Sequence, residues 1–264
     1  AMLAGSGAAR SVADIVLLND SFAVLPQAVK EGQRILTGMQ PTFYLFLTRI
    51  FYVSLLFIST GMAGGFPLTP TQSSVLSLLT VGIPTLAMVA WAKPGKAPRA
   101  HLAQRLAHII LPAGLTLGLV GLAVFVGFLL VPSLLSGQFS FSTPLEQDPT
   151  GESMNTAQTA LTSFLIFSGL FLILFIEPPN HTWEAARKFS GEWRTFPLVV
   201  LLFIGYGVIL ITPMLRQFFE LAALKWYYEL ILFGLAVGWA YGVRWLWRAR
   251  IFERYLGLNL GKYD

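Results

Sequence analysis

Residues 159–176 read TALTSFLIFSGLFLILFI, without a single charged side chain. Wound as an α-helix, this stretch is about 27 Å long at about 1.5 Å per residue, close to the ~30 Å hydrocarbon thickness of a bilayer. Working outward, runs of the same kind recur at 43–62, 75–91, 106–130, 196–214 and 228–247, each near the ~20 residues that a span needs. Short segments between them hold most of the Lys, Arg, Asp and Glu. Over all 264 residues, 55% are hydrophobic and 12% charged. Soluble domains usually run near a quarter charged, so too few charges remain to cover a water-facing surface. The expected fold is mainly α and polytopic: a six-helix transmembrane bundle with a small α/β remnant at the N-terminus.

The formal net charge is +5. The basic residues flank apolar runs, which reads as anchoring beside anionic lipid and not as nucleic-acid binding. Cysteine is absent and histidine scarce, which argues against disulfides, thiol catalysis and Cys-based metal sites. Orientation follows from the loops. GGFPLTPTQSS, between the first two runs, has no Lys or Arg, whereas the next connection holds Lys93, Lys96, Arg99 and Arg105. The segment 132–157 has Glu146, Asp148 and Glu152 and no basic residue; the one after it has Arg187, Lys188 and Arg194. Only Arg216 and Lys225 precede the last run, and the tail carries Arg244, Arg248, Arg250, Arg254 and Lys262. This alternation puts both termini in the cytoplasm. Trp226, Tyr227 and Tyr228 at one end of the last run, with Trp245 and Trp247 at the other, fit aromatic interface belts.

Residues 1–36 read as soluble. Gly5-Ser6-Gly7 signals a turn, 11–13 a helical turn, and Ile15 to Leu18 a buried strand. Asn19-Asp20-Ser21 supplies N-cap chemistry for a helix starting near Phe22, with Leu25, Ala28 and Val29 on one face and Lys30, Glu31 and Arg34 on the other. So short a piece cannot bury a core of its own. Its opening, AMLAGSGAARSVADIVLLND, has no basic region leading into an apolar one, so no signal peptide is read. Position 1 is not Met, as expected for a processed chain or a piece of something longer.

The chain has no G-x-S-x-G elbow and no G-x-x-x-x-G-K-[ST] phosphate loop, so no catalytic residue is assigned. Inside the spans, polar groups carry the information. Arg49 lies about 9 Å into the first span. It either pairs with an acid on another helix or snorkels to the headgroups. In the second span, SVLSLLTVGIPTLAMVAW, Pro84 cannot donate to the Thr80 carbonyl. A helix broken there exposes backbone oxygens, and Ser77 and Thr80 add hydroxyls, which makes Ser77, Thr80 and Pro84 a candidate ion path. The competing reading is an ordinary proline kink whose hydroxyls bond their own backbone. Asn155, Thr156, Gln158, Thr159, Thr162 and Ser163 form a polar stripe that either lines a path or packs helix on helix. Glu177 reads as an interfacial acid.

Taken in order, these residues resemble the P-type cation-transporting ATPases. Gly5, Ala13, Asp14, Leu17, Leu18, Asp20, Phe22, Glu31 and Gly32 fit that family's G-S-G turn, A-A-D-I/V-V-L-L-x-D-x-F and E-G-R. GFPLTPTQ (Gly65 to Gln72) is similar to its L-P-L-T-P-x-Q, and LLTVGIPTLAM to the sixth-span L-V-T-D-G-L-P-A. The resemblance implies that 1–36 is the C-terminal remnant of a HAD-like phosphorylation domain. It also implies that 37–250 holds family spans five to ten, with 251–264 a cytoplasmic tail. Such pumps form an aspartyl-phosphate from ATP and move a cation, here calcium or magnesium by the T-V-G-I-P form and the basic K-P-G loop. ATP and Mg2+ belong to the full-length pump: the D-K-T-G-T and T-G-D-G-x-N-D blocks do not occur in this chain, so alone it cannot form the phosphoenzyme. Val81 stands where many members carry an acid, and Arg49 is a possible countercharge. The partners implied are the lipid bilayer, the transported cation and the missing N-terminal half of the pump, in the same or a separate chain. A different class of reading is a standalone six-span channel, carrier or structural subunit without ATPase activity.

Overall fold

The computed structural model describes residues 1–19, 21–61, 65–94, 102–135, 152–178 and 193–249. Its elements are α1 (Gly7–Val12), a 3-10 turn (Phe22–Val24), α2 (Leu25–Gly61), α3 (Pro70–Ser77), a π-helical turn (Leu78–Gly82), α4 (Ile83–Ala90), α5 (Leu102–Leu135), α6 (Glu152–Ile176), α7 (Thr195–Ile211), α8 (Pro213–Phe218) and α9 (Trp226–Arg248). Five helical stretches are long and apolar enough to cross a membrane: 22–61, 70–90, 106–130, 153–176 and 226–248. This is a polytopic helical membrane bundle.

The bundle is built around α6, whose most apolar window is 94% buried, against 33% for α9. α5 and α9 flank it, α2 packs along α5, and α7 and the π turn touch α6 from other sides. α2 and α5 approach closely because α5 carries Gly114 and Gly118 at the contact. A Cβ there would lie 2.5 Å from Phe51 Cδ1 and 2.8 Å from Leu55 Cδ2. Removing side chains from a helix face lets backbones approach, the usual substitute for hydrophobic driving force in lipid.

Three local expectations are corrected. The stretch Ile15 to Leu18 is not a buried strand: its only β feature is a single parallel bridge from Leu17 to Met2, and Ile15 and Leu18 are exposed. One bridge cannot bury a face, because strands gain their stability from neighbours on a sheet. The expected fifth span, 196–214, ends early. Thr212 is extended (φ −82°, ψ 111°) because Pro213 disfavours a helical conformation in the residue before it. Pro213 then opens α8 at a position where its missing N–H is no loss. α7 is therefore only 17 residues long, about 26 Å. Finally, Trp247 is 2% exposed and packs edge-on against Phe175, so it belongs to the core. Trp226 and Trp245 stay outside, as an interface belt requires.

The helix starting near Phe22 and the first span are one element. α2 runs unbroken through Pro41 and across 36/37, with Ser21 capping the preceding turn through the Ala23 N–H. An interior proline removes one hydrogen bond, which a packed membrane helix tolerates. The tail 251–264 and the basic residues Lys96, Arg99, Arg187 and Lys188 lie outside the described residues.

Candidate functional site

The second span is where chain geometry departs from a plain helix. Thr69 caps α3 through the Gln72 N–H, and Gln72 Oε1 accepts from the Thr69 N–H, a complete capping box with Pro70 at the first helical position. Eight residues on, the ladder slips. Ile83 donates its N–H to the Leu78 carbonyl, five residues back, where an α-helix would use Leu79. Pro84 then has no N–H to offer Thr80. Two successive carbonyls, Leu79 and Thr80, thus lose their α-helical donors without the helix breaking, and Thr85 Oγ1 donates to the Gly82 carbonyl alongside. π turns of this kind localise backbone polarity inside a helix. The sequence pointed to the Thr80 carbonyl alone and to a broken helix; the structure adds Leu79 and keeps the axis continuous.

The hydroxyls follow the competing reading. Ser77 Oγ donates to the Ser73 carbonyl at 2.7 Å and Thr80 Oγ1 to the Leu76 carbonyl at 2.6 Å. Both oxygens keep lone pairs, so they can still accept or ligate. Thr80 is buried against α6, where Gly169 makes room for it: a Cβ on Gly169 would sit 2.7 Å from Thr80 Cγ2. Val81 is half-buried and packs against the core, supplying no oxygen. Pro84 is buried.

Arg49 follows neither expected course. Its Nη2 donates to the Ser73 carbonyl and to Ser73 Oγ, both at 3.1 Å. Among the described residues it makes no ion pair; Arg34 with Glu31, at 3.4 Å on the polar part of α2, is the pair present. Arg49 and Ser77 therefore meet at one carbonyl, while Thr80 stands one turn further on.

The polar stripe of α6 serves packing. Gln158 Nε2 donates to the Phe66 carbonyl (2.9 Å), Thr159 Oγ1 accepts from the Ala222 N–H (2.8 Å), and Thr162 Oγ1 donates to Gln158 O. Gln72 Nε2 reaches the carbonyl of Glu220, whose φ of 55° lies in the left-handed region. These bonds tie the first turns of α3 and α6 to the segments before α3 and after α8. Glu177 follows α6 directly and is half-buried.

One acid that the sequence reading passed over lies inside the bundle. Ser163 Oγ on α6 is 2.7 Å from Tyr206 Oη on α7 and donates to Glu229 Oε1 on α9 at 3.1 Å. The only sequence signal was Glu229 itself, an acid just inside an apolar run. Among the described residues, no group of three or more His, Cys, Asp or Glu could hold a metal ion.

No protein-family model matches the chain. It is 29% identical over 258 residues to the calcium-transporting ATPase CtpE of Mycolicibacterium smegmatis, covering 94% of this chain. It is 28% identical over 270 residues to the protein of the same name from Mycobacterium tuberculosis, covering 98% of this chain. A more distant similarity, 24% identity over 86% of the chain, is to the endoplasmic reticulum-type calcium-transporting ATPase 3 of Arabidopsis thaliana. The chain spans 29%, 30% and 24% of the length of these relatives.

Proposed function

Because this chain belongs to the P-type cation-transporting ATPases, as part of their C-terminal membrane region, we propose that it supplies the last six spans of an ATP-driven pump that carries calcium across a membrane. The reading is supported by similarity to calcium-transporting ATPases along nearly the whole chain; magnesium is the other ion to which the sequence pattern points. Residues 1–36 are then the end of the HAD-like phosphorylation domain, 37–250 the family's spans five to ten and 251–264 the tail. Both termini face the cytoplasm of a bacterial plasma membrane, the side on which the basic loops lie. ATP and Mg2+ act in the part of the pump outside this chain. The residues here do not fit them: the phosphorylation and magnesium motifs do not occur in the sequence, and no acidic or histidine cluster gathers among the described residues.

Within this region the cation's path runs past the π turn. The Leu79 and Thr80 carbonyls and the Thr80 and Ser77 hydroxyls offer neutral oxygens, which suit a hard cation. Val81 adds no charge, so the carboxylates that a divalent ion favours come from segments outside this chain. The guanidinium of Arg49, fixed at Ser73, repels a divalent ion at Ser77 and moves the favourable position toward Thr80. The test is ATP-dependent uptake of calcium by vesicles carrying the full-length protein. T80A is expected to weaken calcium affinity about tenfold, the low end of what a lost supporting group costs a metal site, and S77A less. Absence of ATP-dependent calcium uptake overturns the choice of ion. Unchanged uptake in S77A, T80A and R49Q together overturns the path.

A further inference from the structure

Glu229 lies in the first turn of α9, inside a span, and its carboxyl group is enclosed. Oε1 accepts from Ser163 Oγ, while Oε2 is shielded from solvent and has no hydrogen-bond partner among the described residues. The hydrogen-bond direction is fixed by counting protons. Ser163 has one hydroxyl proton and gives it to Glu229, so the 2.7 Å contact with Tyr206 is a donation from Tyr206 Oη to Ser163 Oγ. Two protons thus point along one chain, Tyr206 to Ser163 to Glu229, and end on Oε1. Nothing of the kind reaches Oε2.

Among the described residues the surroundings offer no countercharge. α6 carries no charged residue over 153–176. α7 contributes the Tyr206 phenol, and α5 presents Phe128, which packs edge-on to Tyr228. On α9 the nearby titratable groups are Tyr227, Tyr228 and the preceding Lys225, whose Nζ is turned over the Tyr227 ring at 5.9 Å from its centroid. Among the described residues Glu229 enters no ion pair. A bare carboxylate enclosed in this way without a countercharge costs several kcal/mol of desolvation. A metal cation is a poor remedy: one carboxylate and two hydroxyls fall short of the six to eight oxygens that calcium takes. One proton neutralises the group completely.

We propose that Glu229, with Ser163 and Tyr206, is a binding site for a single proton, carried on Oε2 at the junction of α6, α7 and α9. Release passes that proton to water and leaves a carboxylate held by the Ser163 donor; uptake reverses the step. The site shares no residue with the Ser77–Thr80 path and stands or falls independently of it.

The test is infrared spectroscopy and thermal unfolding of the 264-residue chain reconstituted in lipid, comparing wild type, E229Q and S163A. At neutral pH the wild type is expected to show the carbonyl band of a protonated carboxyl group. E229Q loses it, and S163A moves it to higher frequency because the carbonyl oxygen has lost its donor. An amide matches a neutral acid in shape and charge, so E229Q is expected to melt within about 4 °C of wild type, the shift that ~1 kcal/mol produces in a chain of this size. No such band in the wild type, the same band in E229Q, or a larger fall in melting temperature overturns the proposal. Should E229Q fail to fold, the presence of the wild-type band and its displacement in S163A decide the question.

Discussion

Arg49 Nη2 and Ser77 Oγ converge on one atom, the carbonyl oxygen of Ser73, at 3.1 and 2.7 Å. Two donors on a shared acceptor are coupled, so their removal is non-additive. R49Q and S77A are each expected to destabilise the bundle by about 0.6–1.7 kcal/mol, the range for hydrogen bonds in membrane proteins. A double-mutant cycle from thermal unfolding should give a coupling of at least about 0.5 kcal/mol. Strict additivity would mean that the two bonds do not compete for that carbonyl.

Gly169 on α6 leaves just the room that Thr80 of the second span occupies. G169A gains up to about 1 kcal/mol of helix propensity but places a methyl against the β-branched Thr80, whose Cβ is only 3.1 Å from the added atom. Overpacking at about 1–3 kcal/mol wins, so G169A should melt lower than wild type. T80S removes the methyl at 2.7 Å, so the T80S/G169A double variant should recover most of the loss.

Gln72 holds two structures with the two halves of one amide: Oε1 closes the capping box on Thr69 and Nε2 grips the Glu220 carbonyl. Q72E keeps the acceptor and turns the donor into an oxygen facing an oxygen. The start of α3 should persist while the 219–222 backbone opens, seen as faster amide exchange there. Q72L, which loses both halves, should loosen both places. Equal exchange at 219–222 in wild type and Q72E would show that the long-range bond carries nothing.

Trp239 Nε1 donates to Thr116 Oγ1 at 2.9 Å, joining α9 to α5. T116V leaves that indole N–H without its acceptor in a nearly filled site, at a cost of about 1–3 kcal/mol. W239F removes the donor as well, so T116V in a W239F background should cost distinctly less. Thermal unfolding of the four proteins checks this.

The spans were legible because hydrocarbon imposes its length on the sequence: the run 106–130 lies inside one helix, α5 (Leu102–Leu135), and is long and apolar enough to cross a membrane. What escaped were features that local pattern does not encode. The π turn differs from an α turn by one step of hydrogen-bond register, and its apolar periodicity over Leu78 and Leu79 looks helical either way. Ser163 lies 43 residues from Tyr206 and 66 from Glu229, so their meeting is a property of how three helices pack. Pro213 was visible, but its restraint on Thr212 was outweighed by the surrounding apolar run. Arg49 found a carbonyl and a hydroxyl where charge alone suggested an acid or the headgroups.

α2 has 37 residues and no joint, so it is about 55 Å long. It is pinched where Gly114 and Gly118 admit Phe51 and Leu55. From Leu25 to Phe51 the rod measures about 39 Å, and from Phe51 to Gly61 about 15 Å. The long arm is also held, because Gly38 lies against Ala92 and Arg34 Nη2 donates to the Ala90 carbonyl, so α2 joins the second span at its polar end and α5 nearer its far end.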